Sequence, residues 1–280
     1  MMKTNIFSSS KVTASHADYS WATYFFIAFS FFQCCDTLFE YSPYQVKTND
    51  RLLNQSASEQ LRSKSKSDFK PFRIALIGDS HTYYDEFKRL IDAINRIDNI
   101  DFVVHLGDIT LSGIYREFLW YSEIIARLNK PVVTVIGNHD CLANGETMYR
   151  NMFGDFNFNC TYNNCKLVFW DDIIWERNNK DPDFEWLQKE MSDEKWYTHK
   201  VVFAHIQPWD AQFSMGNRLL YNRILEKNGV SLSIHGHQHK FYYDKYFGKV
   251  PYLLIPDATD REIVVAEVLY DTILVHIVQF

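Results

Sequence analysis

Positive charge is the first thing this sequence is short of. Its 280 residues carry 29 Lys and Arg against 35 Asp and Glu, a formal charge of −6. Residues 1–70 hold 8 basic and 6 acidic side chains, so residues 71–280 hold 21 and 29 and carry −8. Phosphate affinity comes mostly from Lys and Arg, so such a domain is a poor non-specific binder of nucleic acid, and no specific nucleic-acid partner is expected. Cysteine is sparse as well: Cys34, Cys35, Cys141, Cys160 and Cys165 include no CxxC pair, which excludes the usual zinc ribbons. No apolar run reaches the roughly 20 residues of a membrane-spanning helix. No internal repeat is visible. What is present is a chain of about one to two domains by length. With 46% hydrophobic and 16% aromatic residues it can bury a large core. The acidic balance suits a site built from metal-binding carboxylates.

The first 70 residues differ from the rest. Residues 21–35 (WATYFFIAFSFFQCC) form the longest apolar run, with Lys3 and Lys11 upstream. That length fits a secretory h-region better than a membrane span. Cys34-Cys35 resembles the lipid-attachment cysteine of bacterial lipoproteins. Against that, Phe31-Phe32-Gln33 lacks the small residues usual before such a cysteine, and Asp18 interrupts a long n-region. A lipoprotein segment, an uncleaved signal anchor and an ordinary buried segment stay open; the first two tie the protein to a membrane, at the cell surface or in a periplasm. Residues 36–70, rich in Ser, Asn, Gln and Lys, have little apolar periodicity and read as a flexible spacer. The expected organisation is a segment over 1–35, a spacer over 36–70 and one globular domain over 71–280.

Within that domain, residues 73–77, 102–106 and 130–136 read as buried strands, separated by two amphipathic helices. The first helix carries Phe87, Leu90, Ile91, Ile94 and Ile97; the second carries Ile114, Phe118, Tyr121, Ile125 and Leu128. This alternation predicts a parallel sheet with right-handed crossovers, whose strand ends share one edge. The ends carry Gly78-Asp79-Ser80-His81, Gly107-Asp108 and Gly137-Asn138-His139-Asp140. Further along, a short helix is expected near 149–156, and a hairpin around Tyr162-Asn163-Asn164. A helix capped by Asp181 with Pro182 at its first position follows. Strand 201–204 ends in His205, a helix spans 218–228, and strand 231–235 ends in Gly236-His237-Gln238-His239. Four late strands predict a second sheet packed on the first. Cys160 and Cys165 are read either as a small disulfide loop or as two thiols; Cys141 is read as a packed small residue.

Five strand ends thus collect Asp79, His81, Asp108, Asn138, His139, His205, His237 and His239. Imidazole with carboxylate suits Mn, Fe, Zn or Ni. Asp79 and His81, and likewise His237 and His239, sit at i, i+2 and share a side if extended. Two such sets bridged by a carboxylate describe a two-metal site; a pair of ions generates hydroxide at neutral pH, orients a phosphoryl oxygen and offsets charge on the leaving oxygen.

Together these five ordered motifs resemble the calcineurin-like metallophosphoesterases over residues 71 to about 240. The resemblance implies an α/β fold, a two-sheet β-sandwich flanked by helices in four αββα layers. It also implies a site. Asp79, His81 and His239 would hold one metal, Asp108 would bridge, and Asn138, His205 and His237 would complete the second. His139 would protonate the leaving oxygen or stabilise the transition state, and Asp140 would orient His139. Two Mn, Fe or Zn ions are the implied cofactors and a phosphomono- or phosphodiester the implied substrate. Leu111 stands where purple-acid-type members carry tyrosine. No Asp-Arg-Gly follows the second motif, and His139 is not the Arg of lipid-A-precursor pyrophosphatases. What remains resembles the phosphodiesterase-like branch. A non-catalytic, metal-stabilised binding module and a nuclease are the competing readings.

His105, His235, His199 and His276 are read as packing or surface residues. Trp170, Trp175, Trp186 and Trp209 are read as core or rim. Residues 207–217, after His205, are the candidate for substrate selection. Arg218 is read as capping its helix rather than meeting a phosphate.

Overall fold

The computed structural model describes residues 42–193 and 195–280. The apolar run 21–35 and Cys34-Cys35 lie outside them. Among the described residues no helix is long and apolar enough to cross a membrane.

The first regular element among the described residues, helix α1 (Leu53–Lys64), falls inside the stretch expected to be a flexible spacer, and corrects that expectation. Its buried stripe is Asn54, Ala57, Ser58 and Leu61, at helical spacing. Only two of the four are apolar, so the stripe is nearly invisible to a hydrophobicity count. Arg62 and Lys64 in its last turn complement the helix dipole.

The first sheet has the order β11-β10-β1-β2-β3. Strands β1 (Phe72–Ile77), β2 (Phe102–His105) and β3 (Val132–Thr134) are parallel, joined through helices α2 (Tyr84–Arg96) and α3 (Tyr115–Ile125). Strands β10 (Glu262–Val268) and β11 (Ile273–Gln279) extend it antiparallel on the other side of β1. The second sheet, β4-β5-β6-β7-β9-β8, begins at the hairpin of β4 (Phe158–Tyr162) and β5 (Cys165–Phe169). It continues in parallel through β6 (His199–Phe203), β7 (Leu232–His235) and β9 (Tyr252–Leu254), with β8 (Tyr242–Asp244) antiparallel at its edge. The late strands are therefore shared between both sheets rather than forming the second alone. Helices α4 (Gly145–Phe153), α5 (Phe184–Met191) and α6 (Met215–Lys227) complete the described helices.

Alternation along the strands explains the layers. Phe72, Ile74 and Leu76 of the first sheet pack in one cluster with Leu167, Phe169, Val201, Phe203, Leu232 and Ile234 of the second. The opposite face, Ala75, Ile77 and Val103, joins a second cluster with Phe87, Leu90, Ile91 and Phe118 of the helices. Trp170, Val202 and Ala204 meet Leu187, Tyr221 and Leu225 in the same way. Strands buried on both faces need continuous apolar runs, which is why they were legible.

Helix α1 covers the open flank between β3 and β4, the edge strands on that side. Thr134 N–H donates to Asn54 Oδ1 and Asn54 Nδ2 donates to Thr134 O, both at 2.8 Å, so one amide side chain pairs with the edge as a strand would. Asn163 N–H donates to Ser65 Oγ, and Lys66 N–H donates to Asn163 Oδ1.

Smaller corrections follow from local geometry. The cap of α5 is Asp183, which accepts from Trp186 N–H at 2.9 Å; Asp181 accepts from Asn217 instead. Helix α4 begins at Gly145, earlier than expected, and α6 at Met215 behind Ser214. The disulfide alternative is overturned. Cys160 faces Leu167 and Cys165 faces Tyr162 across the hairpin, and both are free, buried thiols that burial pushes up to about 12.

Candidate metal centre

The motif loops after β1, β2, β3, β6 and β7 converge. Asp79, His81 and His239 present ligand atoms within 4.8 Å of one another, as do Asp108, His205 and His237. Asp108 Oδ2 lies between the sets, 3.8 Å from His81 Nε2 and 3.3 Å from His205 Nε2, while Oδ1 accepts from His139 N–H at 2.9 Å. Asn138 Oδ1 sits 3.1 Å from both His205 Nε2 and His237 Nδ1. His239 Nε2 is 3.2 Å from Asp79 Oδ1. All seven expected ligands are thus brought together.

The backbone achieves this differently from expectation. Asp79, His81, Asp108, His237 and His239 all have positive φ, between 40° and 65°. The i, i+2 pairs share a side because both members are left-handed, not because the chain is extended. That conformation is uncommon for these residues and clusters where surroundings impose it. Gly137 shows how tightly the loops pack: a Cβ there would lie 2.1 Å from Asp108 N. At Gly107, φ is +92° and a Cβ would meet His205 Nδ1 at 2.6 Å.

Each candidate ligand histidine is oriented through its other nitrogen. His81 Nδ1 is 3.1 Å from Thr110 O, and His205 Nδ1 is 2.7 Å from Leu106 O. A carbonyl only accepts, so both Nδ1 atoms carry the proton and Nε2 turns to the centre. His239 Nδ1 is 3.3 Å from Asp257 Oδ2, and His237 Nε2 is 3.5 Å from Asp210 Oδ2. Asp210 and Asp257 went unnoticed in the sequence. Asp210 lies in the loop flagged for substrate selection. Asp257 follows β9 by three residues, the offset at which Asp108 follows β2, and that was an available signal.

The electrostatics suit cations. Burial alone would lower His205, but the Asp108 and Asp79 carboxylates raise it to about 10. Hydrogen bonds to Asp257 and Asp79 raise His239 to about 10. Burial alone would raise Asp108, yet His205 and the neighbouring imidazoles hold its carboxyl well below the usual range. The cluster is a region of negative potential with nitrogen and oxygen donors converging on it, and these donors fit divalent metal ions.

Asp140 does not orient His139, which corrects the expectation. It accepts from Thr110 N–H at 2.9 Å, Thr110 Oγ1 at 2.8 Å and Gly137 N–H at 2.9 Å, and so ties the second motif loop to the third. Burial, then the Asp108 charge, raises it to about 7. His139 Nδ1 instead faces Leu111 O at 2.7 Å. Its ring lies 4.8 Å from that of His81, and its ligand atom groups with His81 and Asp108 as well. Asp172 plays the same loop-fixing part after β6, accepting from His205 and Ile206 N–H; burial raises it to about 8.

The remaining residues fall as follows. His105 and His235 are enclosed, bonded to Ser80 Oγ and Ser233 Oγ, and burial pushes each to about 3. His199 bridges Ser231 Oγ and Leu269 O, and His276 pairs with Glu267 at the surface. Arg218 donates to the carbonyls of Phe213 and Asp210, so it pins the 207–217 loop. Trp170 is core, Trp209 is stacked on Tyr246, and Trp175 is exposed. Cys141 is partly enclosed, and burial raises its thiol well above the ordinary range.

Comparison with known proteins comes to the same place. The profile of the calcineurin-like phosphoesterases matches residues 72–241. A dimetal phosphatase from Danio rerio is similar in structure (TM-score 0.53, 14% identity, 73% of this chain and 98% of that one). So is the GAP50 anchor of the Plasmodium inner membrane complex (0.54, 13%, 75% and 84%). So, too, is a 5'-nucleotidase from Candida albicans (0.52, 12%, 77% and 53%). At these identities the likeness is one of fold. A search of curated proteins gives no match.

Proposed function

The chain belongs to the calcineurin-like phosphoesterase family, and from that membership we propose that it hydrolyses a phosphomono- or phosphodiester at a centre of two metal ions. One observation carries the reading: Asp108 Oδ2 stands between His81 Nε2 and His205 Nε2, at the junction of two convergent donor sets. Asp79, His81 and His239 would hold one ion, Asn138, His205 and His237 the other, with Asp108 between them. Such a pair, when bound, lowers the pKa of water and stabilises charge on a leaving oxygen. In this reading His139 acts on the leaving side. With its Nδ1 proton engaged by Leu111 O, the doubly protonated imidazole would give its Nε2 proton to the departing ester oxygen and be left neutral. Asp140 serves the reaction only by fixing the loop that presents His139.

The purified protein supplied with Mn is expected to hydrolyse an aryl phosphate ester and to lose that activity on chelation. No turnover of any mono- or diester, with both ions demonstrably bound, would sink the reading. A non-catalytic binding module predicts that His139→Ala leaves cellular function intact. We further propose that residues 21–35 tether the domain to a membrane. Fatty-acid labelling should then be lost in Cys34→Ser or Cys35→Ser; absence of label in the parent removes the lipoprotein form of that proposal.

A further inference from the structure

Glu176 has no part in the seven-ligand set. It sits in the single 3-10 turn Trp175–Arg177 between β5 and α5. Its Oε1 accepts from Asn138 Nδ2 at 3.1 Å. Its other oxygen, Oε2, is buried and has no hydrogen-bond partner. A buried carboxylate oxygen left without a partner is costly, so the one bond Glu176 makes, to Asn138, is held against a desolvation penalty. We infer that Glu176 is a positioning residue that fixes the amide of Asn138 with its oxygen toward the metal centre.

The argument rests on the two ends of an amide. Asn138 Oδ1 faces His205 Nε2 and His237 Nδ1, each at 3.1 Å. Rotation of the amide by half a turn would put an NH2 group there instead, and NH2 is no ligand for a cation. The two orientations are nearly the same in shape, so sterics choose weakly between them. A carboxylate accepts and cannot donate, so Glu176 is satisfied by one orientation only. A glutamine at 176 could itself turn round; a glutamate cannot present a wrong end.

The turn that carries Glu176 is clamped on both sides. Trp175 N–H donates to Gln212 Oε1 at 3.3 Å. Arg177 donates to Glu146 Oε1 at 2.6 Å and to Asp171. The flanking residues thus hold the carboxylate at a fixed place. This also gives a reason for the Arg177 network.

The inference depends on the two-ion reading above, and its test separates the two. Mn uptake is measured by equilibrium dialysis on the parent, Glu176→Ala and Glu176→Gln, and again in an Asn138→Asp background. The parent should bind two ions. Glu176→Ala should weaken one of them by about 10- to 100-fold, as loss of such supporting partners does. Glu176→Gln should keep most of the affinity, because its carbonyl can accept the same bond. In the Asn138→Asp background a carboxylate has no wrong end, and Glu176 becomes only a nearby like charge. There Glu176→Ala should tighten binding rather than weaken it. Loss of affinity in both backgrounds would show that Glu176 merely props the turn and would overturn the inference. So would unchanged binding of both ions by Glu176→Ala. A parent that takes up no ion overturns the metal centre itself, and this inference with it.

Discussion

The two halves of the centre follow one plan in two materials. Each pairs an enclosed histidine with one nearer the rim. The enclosed ones, His81 and His205, are held by backbone carbonyls of Thr110 and Leu106. The rim ones, His239 and His237, are held by the carboxylates of Asp257 and Asp210. The exposures differ to match: His205 is 0% exposed, whereas the His239 side chain is 41% exposed. An enclosed histidine is oriented by the fold and cannot be loosened by a single side-chain change. A rim histidine depends on one replaceable group. Donor geometry is thus fixed from the inside, and adjustable from the outside.

Removing what the halves share should have the largest effect. Asp108→Ala is expected to lose both ions and all measurable turnover, read by metal content and ester hydrolysis together. Retention of one tightly held ion would mean the halves are independent. Next, His139→Ala should keep both ions and lower kcat by about 10²- to 10⁴-fold, the usual range for a general acid. A loss of metal instead would assign His139 to the ligands, where its approach to His81 also allows it. Smaller effects should follow at the rim. Asp257→Ala and Asp210→Ala are each expected to weaken metal binding by roughly 10- to 100-fold, one half at a time. Equal weakening of both ions in either variant would contradict the division.

The smallest expected effect sharpens the enclosed side. Burial holds His105 at about 3, whereas it titrates near 6.5 when unfolded. Between those values the unfolded chain takes up a proton that the folded chain refuses. The contribution of His105 to stability is therefore present above about pH 6.5 and lost progressively as pH falls toward 3. Denaturant unfolding of the chelated protein from pH 7 to 4 should show a shallower decline for His105→Asn than for the parent. Parallel declines would place His105 in contact with solvent.

The parallel strands and the convergence of their motif ends were readable in the sequence because each is local. A buried strand must be apolar throughout, and the chemistry follows at its end. Other features were hidden for physical reasons. The stripe of α1 is made of Asn54, Ala57, Ser58 and Leu61, so its periodicity carries almost no hydrophobic signal. Asp140 stands beside His139 in sequence but bonds Thr110 and Gly137, because the third motif loop turns through a 3-10 segment at His139–Cys141 and points the two side chains apart. Glu176 sits in an irregular turn with no periodicity to mark it. The assignment of β10 and β11 to the first sheet depends on pairing with β1, nearly 200 residues earlier, which no local pattern encodes.

Helix α1 sets an order on synthesis. It is made before either strand it joins. Asn54 must wait 80 residues for Thr134, and Ser65 must wait 98 for Asn163. Long-range closure of this kind is entropically late. Helix α1 is thus expected to be among the last elements to dock, and until then β3 and β4 present open edges to neighbouring chains. Pulse-labelled hydrogen exchange during refolding should find the amides of Leu53–Lys64 protected after those of β1 and β2; simultaneous protection would place the clasp in the nucleus instead.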